Sequence, residues 1–285
     1  MEGSLRARIE HLLAQQVLRA EPRAGGFTPA ALWSIETEDG TGLFVKVAAD
    51  HESAVGNRTE AMVMRANTSD RIARFEAISE DGYVLITEDL SQCDWRPSLD
   101  DPGALFDAIA EIGDMIAPDD LLSSFQGSGR DPWPQVLADP RFASAVGIES
   151  AWLAAHGEEL SVASLAADTS GDGLVHGDLA PGNWCLGRTS GWRFVDWASA
   201  HRGNPLVDEA IAAIRLTRAT GRPRPSLRLR DRPEMASLIA GRFASELLDV
   251  DWAGAPPQAR VDRVADIRAG LTMLAELLVL PAPTA

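Results

Sequence analysis

Lysine is nearly absent from this sequence. Of its 26 Lys and Arg residues only Lys46 is a lysine, so a reaction that needs a lysine has one candidate. Cysteine is also scarce. Cys93 and Cys185 are far apart and lack CxxC spacing, which excludes a disulfide framework or zinc ribbon and suits two free thiols in a reducing cytoplasm. No apolar run approaches the roughly 20 residues of a membrane span. The longest candidate, Leu271 to Leu280, contains Glu276 and ends at Pro281. Glu10 and His11 interrupt the apolar positions of the first residues, so no secretion signal is read there. Positive charge is in deficit, with 42 acidic residues, a net charge of −16 and a pI near 4.7. An acidic surface repels phosphate backbones. A cytoplasmic protein with neither a membrane nor a nucleic-acid partner is expected, and a cationic small substrate is compatible with the charge.

What is present is enough for a substantial core. The 285 residues are 45% hydrophobic, which suits one large domain or two small ones. Leu5, Ile9, Leu12, Leu13 and Val17 recur at helical spacing, predicting an amphipathic helix over 4–18. Two apolar segments within 30–49 flank Glu-Asp-Gly-Thr-Gly and predict a hairpin. A helix over 53–66 and strands at 72–78 and 83–87 follow. From 100 onward the pattern is mostly helical, except for short β-like runs at 174–175 and 192–195 and an Arg/Pro-rich loop at 221–232. The fold class is α+β. The division expected is a part at 1–90 with a small antiparallel sheet, then a larger helical part at 91–285, with a hinge at 88–93.

The chemistry concentrates in VHGDLAPGNWCLGRTSGWRFVDWA. The kinase catalytic loop is written H-R-D-L-x-x-x-N, followed later by D-F-G. His176, Asp178, Leu179 and Asn183 match by position; Gly177 replaces the Arg, and Asp196-Trp197-Ala198 replaces D-F-G. Phosphoryl transfer asks the protein to fix phosphates, neutralise charge and orient an acceptor hydroxyl. An Asp at the start of such a loop can accept the hydroxyl proton. An Asn five residues on and a second Asp after an apolar run supply the hard oxygen ligands that Mg²⁺ prefers.

The remaining half of such a site belongs upstream. Lys46 sits in the middle of an expected strand, and Glu60 follows on the expected helix as its ion-pair partner, with Glu52 as a rival. Gly25 and Gly26 lie where a turn could cover phosphates. Glu88, Asp89 and Leu90 would form a hinge whose backbone holds a purine. Only eight residues separate Asp196 from Pro205. That leaves no room for an activation loop, so a peptide acceptor is disfavoured and a small molecule is expected.

These residues, together with Gly203, Pro205 and Asp208, make the chain resemble the aminoglycoside phosphotransferase and choline kinase-like family of small-molecule kinases, over roughly residues 20–285. The resemblance implies a protein-kinase-like two-lobe fold and ATP or GTP with Mg²⁺. It implies catalytic roles for Asp178 as base, His176 and Asn183; metal ligation by Asn183 and Asp196; and nucleotide binding by Lys46, Glu60, Gly25, Gly26, Glu88 and Leu90. Two features depart from the family pattern. Ala198 stands where many members carry an acid, and no His ends the first helix of the helical part, at 112–117. Asp208 is expected to be structural, and Trp184, Trp192 and Trp197 to be core. The acceptor is expected to be a small hydroxyl compound, and the charge suits a cationic one such as an aminoglycoside; acidic pairs at 100–101, 119–120 and 158–159 could attract it. An amino alcohol, a sugar or a non-catalytic pseudokinase are the alternatives.

Overall fold

The computed structural model describes residues 1–23, 30–122, 131–249 and 256–284. Gly25 and Gly26 lie outside the described residues. The chain packs as two compact units that interleave in sequence. The first comprises Met1–Pro97, Asp114–Leu121 and Pro181–His201, and the second Ser98–Gly113, Leu122–Ala180 and Arg202–Ala285.

The first unit is built on a five-stranded antiparallel sheet. Helix α1 (Gly3–Leu13) is followed by β1 (Val17–Arg23), β2 (Ala31–Thr37), β3 (Gly42–Val47), α2 (His51–Ala66), β4 (Phe75–Ile78) and β5 (Val84–Glu88). The strand order is β1-β2-β3-β5-β4. One expectation is corrected here. The helix predicted over 4–18 stops at Leu13, where Ala14 turns left-handed at φ 52°, and Val17 begins a strand instead. Pro22 within that strand is tolerated because β1 is at the sheet edge. The β2–β3 hairpin turns at Gly40, with φ 82°; there Asp39 accepts from the Thr37 hydroxyl at 2.7 Å and the Thr41 N–H at 3.0 Å. Alternate residues of the sheet, Ile35, Leu43, Val45, Val84 and Ile86, join Ile9 and Val17 in one buried cluster. Helix α2 starts two residues earlier than predicted, because Asp50 and Ser53 form a capping box.

A second hairpin in this unit pairs Trp184–Gly187 with Gly191–Phe194. Its first strand was not foreseen. Trp184, Trp192 and Trp197 are buried, as expected of core residues. Cys93 and Cys185 are free thiols that pack in one small cluster with Ala73 and Leu90.

The second unit is helical: α3 (Gly103–Gly113), α4 (Trp133–Ala138), α5 (Phe142–Val146), α6 (Ser150–Leu165), α7 (Leu206–Thr220), α8 (Leu227–Asp231), α9 (Pro233–Leu248) and α10 (Pro257–Leu277). The short α8 lies within the stretch read from sequence as a loop. Helices α7, α9 and α10 pack pairwise, and α4 and α6 pack on α9. At the α4–α9 contact Trp133 is buried and its indole N–H donates to the Ser237 carbonyl at 3.1 Å. A Cβ on Gly241 would lie 2.9 Å from that indole nitrogen, so glycine is what lets the ring approach. Among the described residues no helix is long and apolar enough to cross a membrane.

Candidate active site

The period-2 alternation of β3 sets the first half of the site. Leu43 and Val45 point into the core, so Phe44 and Lys46 point to the opposite face. Lys46 is held in the sheet interior, opposite Leu32 on β2 and Leu85 on β5. Its Nζ donates to Glu60 Oε2 at 3.1 Å and to Asp196 Oδ1 at 2.6 Å. The other Glu60 oxygen accepts the Asp196 backbone N–H at 3.2 Å. Glu60 is buried on α2 whereas Glu52 is exposed, so the partner of Lys46 is Glu60. Burial works against the charge on Lys46. The carboxylates of Glu60 and Asp196 outweigh it and hold the ammonium pKa above its ordinary value.

Asp196 has φ 65° and ψ 60°, a left-handed conformation for a residue with a side chain. Such a backbone costs on the order of 1–3 kcal/mol and persists where its surroundings fix it. Here the Glu60 carboxylate fixes the amide. Asn183 is tied alongside by its carbonyl, which accepts the Val195 N–H at 3.0 Å. Lys46, Glu60, Asn183, Asp196, Glu88 and Leu90 all line one cavity of about 440 Å³ in the first unit, with Phe44 and Trp95 supplying apolar surface. Asn183 and Asp196 are oxygen donors of the kind Mg²⁺ accepts, and a site with few protein ligands suits an ion completed by phosphate and water.

Glu88 and Leu90 are more engaged than sequence showed. The Arg193 guanidinium grips the Glu88 carboxylate at 2.9 and 2.8 Å, and the Glu88 N–H donates to the Arg74 carbonyl at 2.9 Å. Burial acts to raise the Glu88 pKa, but Arg193 outweighs it and the net shift is downward. The Leu90 carbonyl accepts from the Cys93 N–H at 3.0 Å and the Trp95 indole at 3.1 Å.

The second unit carries the other part of the motif. His176 is fully buried, and its Nδ1 accepts the Asp178 N–H at 3.3 Å. Gly177 has φ 80°, a conformation side chains rarely adopt, which accounts for glycine where an arginine stands in the protein-kinase loop. The loop is held from below by Asp208 on α7. Its two oxygens accept the N–H groups of His176 at 2.6 Å and Gly177 at 2.9 Å, the structural role expected of it. Burial pushes the Asp208 pKa up to about 7.

Asp178 itself is half-exposed, and Arg215 Nη1 donates to its Oδ1 at 2.9 Å. Burial acts to raise its pKa, but the Arg215 guanidinium outweighs it, so the carboxyl sits below the usual range. Arg215 was not found by sequence reasoning. Its signal is spacing: seven residues after Asp208, it lies two turns on along the same face of α7.

A profile of the phosphotransferase enzyme family matches residues 19–246. No curated protein matched the sequence. Several solved structures share the fold. An aminoglycoside phosphotransferase, APH(4)-Ia, in a ternary complex with ADP and hygromycin B, is 20% identical, with 94% of this chain and 99% of that chain covered and a TM-score of 0.54. A Thermobifida fusca protein described as a fructosamine-3-kinase is 19% identical, with 95% and 99% covered and a TM-score of 0.56. The choline kinase LicA of Streptococcus pneumoniae is 14% identical, with 96% and 98% covered and a TM-score of 0.57. The antiparallel-sheet unit and the helical unit are thus the kinase-like architecture expected from sequence.

Proposed function

The chain belongs to the phosphotransferase enzyme family, as a small-molecule kinase acting on a hydroxyl, and on that premise we propose that it transfers the γ-phosphoryl group of ATP or GTP with Asp178 as the base. The observation that carries this reading is Lys46. The only lysine in the chain bonds both Glu60 and Asp196 on the wall of the 440 Å³ cavity.

In this reading the purine lies along Thr87–Leu90. The Leu90 N–H serves as a donor to it, since the Leu90 carbonyl is already taken by Cys93 and Trp95. Lys46 releases Asp196 and binds the phosphates, while Glu60 keeps the ammonium in place. Asn183 and Asp196 would hold Mg²⁺, which would neutralise the charge that develops on the phosphates. Asp178 accepts the proton of the acceptor hydroxyl as its oxygen bonds to the γ-phosphorus, and the bond from that phosphorus to the nucleoside diphosphate breaks. Arg215 keeps Asp178 ionised for this step. His176, buried against the Asp178 amide, positions the loop.

The test is nucleotide consumption with a panel of hydroxyl compounds, run on the wild type and Asp178→Asn. Acceptor-dependent release of ADP or GDP by the wild type alone supports the reading. Equal rates in the two proteins refute the role of Asp178.

A further inference from the structure

The wall of the 440 Å³ cavity carries a second cation that the sequence did not single out. Arg23 is the last residue of β1, and it lines this cavity together with Lys46. The register explains why. Arg23 stands opposite Leu32 on β2, and Leu32 stands opposite Lys46 on β3. Directly opposed residues project on the same face of a sheet. All three line the cavity, so the two cations share one face, with their backbones two strand spacings, or about 10 Å, apart.

The Arg23 side chain is anchored at that wall. Its Nε donates to the Ser34 hydroxyl at 2.8 Å. Ser34 is buried and lines the same cavity. Among the described residues no carboxylate bonds Arg23. The acids of the cavity are engaged elsewhere. Lys46 bonds Glu60 and Asp196, Arg193 bonds Glu88, and Asp89 accepts the Ser91 N–H at 2.7 Å. With Nε committed to Ser34, the two Nη groups form the open end of a planar fork. That fork matches the spacing of two phosphate oxygens.

Charge points the same way. Lys46 brings one positive charge against the two carboxylates it bonds. A polyphosphate entering the cavity adds several negative charges beside them, and like charges at short range repel strongly. A guanidinium on the same wall offsets part of that repulsion.

We propose that Arg23 is a phosphate-binding residue of the donor site, its two Nη groups holding oxygens of a nucleoside polyphosphate whose other phosphate oxygens meet Lys46. This rests on the reading of the cavity as the nucleotide site. Ser34 is the positioning residue, fixing the guanidinium through Nε.

The test is calorimetric titration of ATP and GTP, with Mg²⁺, into the wild type, Arg23→Gln, Arg23→Lys and Ser34→Ala. The matching nucleoside, adenosine or guanosine, is measured by its displacement of the tighter nucleotide. Arg23→Gln should weaken that nucleotide about tenfold or more and leave the nucleoside unchanged, since it has no phosphate to lose. The loss should shrink as salt is raised. Arg23→Lys should restore part of it, because the charge returns without the fork. Ser34→Ala should lose less than Arg23→Gln. Arg23 is exposed on an edge strand, so the variants should unfold thermally as the wild type does. Unchanged nucleotide affinity in Arg23→Gln, or an equal loss for the nucleoside, overturns the inference while the nucleotide reading stands. If the wild type binds neither ATP nor GTP, the nucleotide reading falls and the inference with it.

Discussion

Arg215 and Asp178 are joined by a 2.9 Å charge-assisted hydrogen bond between α7 and the 176–183 loop. The bond has a consequence for pH. Asp178 is held below the usual carboxylate range, so the proposed base stays ionised well into acid.

In Arg215→Met that support is lost, and the acidic limb of the kcat/KM profile should move to higher pH. A charge-assisted bond is worth about 1.5–3 kcal/mol, so the limb should move up by about 1–2 pH units, with the rate at neutral pH changed much less than the rate in acid. Profiles of wild type and variant check this. A limb that stays put would show that Arg215 does not govern the Asp178 charge.

Asp208 makes a stability prediction with the opposite sign. Its folded pKa is about 7, above the unfolded value of about 3.9. The folded state therefore binds more protons between those values, and this contribution to stability is lost as pH rises from about 4 to 7. Denaturant unfolding of the wild type minus that of Asp208→Asn should show this slope, since the amide does not titrate there. Asp208→Ala strips an acceptor from two backbone N–H groups and should cost on the order of 1–3 kcal/mol for each one left unsatisfied.

Arg193 clamps Glu88 with two hydrogen bonds at the edge of the 440 Å³ cavity. Arg193→Met should lower stability by about 2 kcal/mol, below the range for a fully buried pair because Glu88 is partly exposed. The KM for ATP should rise as the hinge loosens. Arg193→Met with Glu88→Gln should lose less than the sum of the single changes, which a double-mutant cycle in thermal unfolding measures.

Lys46 leaves a sharper signature on binding than on folding. Lys46→Ala should raise the ATP dissociation constant about 10–100-fold, by the same charge-assisted estimate. Lys46→Arg should not restore it, since a forked guanidinium does not reproduce a compact ammonium between Glu60 and Asp196. Calorimetric titration with ATP and Mg²⁺ distinguishes these outcomes.

The parts legible in the sequence were those with local signatures. The Glu38-Asp39-Gly40 turn marks the β2–β3 hairpin, and the spacing of His176, Asp178, Asn183 and Asp196 marks the loop. Strand β1 was hidden because Val17 continues the helical spacing of Leu5, Ile9 and Leu13; only the left-handed turn at Ala14 breaks it. The choice between Glu60 and Glu52 turned on which face of α2 is buried, and composition does not show that. Arg215 and Asp178 are 37 residues apart in the chain, and Arg193 and Glu88 are 105 apart. Such groupings are products of tertiary packing and leave no spacing to read. For the same reason the net charge of −16 said nothing of the Arg215 guanidinium placed on Asp178.

The most direct test of the account is the single-turnover transfer of γ-³²P from labelled ATP to an acceptor by Asp178→Asn, with ATP affinity and thermal unfolding measured on the same preparation. Removing a positioned general base costs about 10²–10⁴-fold. The account predicts a loss of that size with ATP affinity and folding retained. Transfer at the wild-type rate would contradict it.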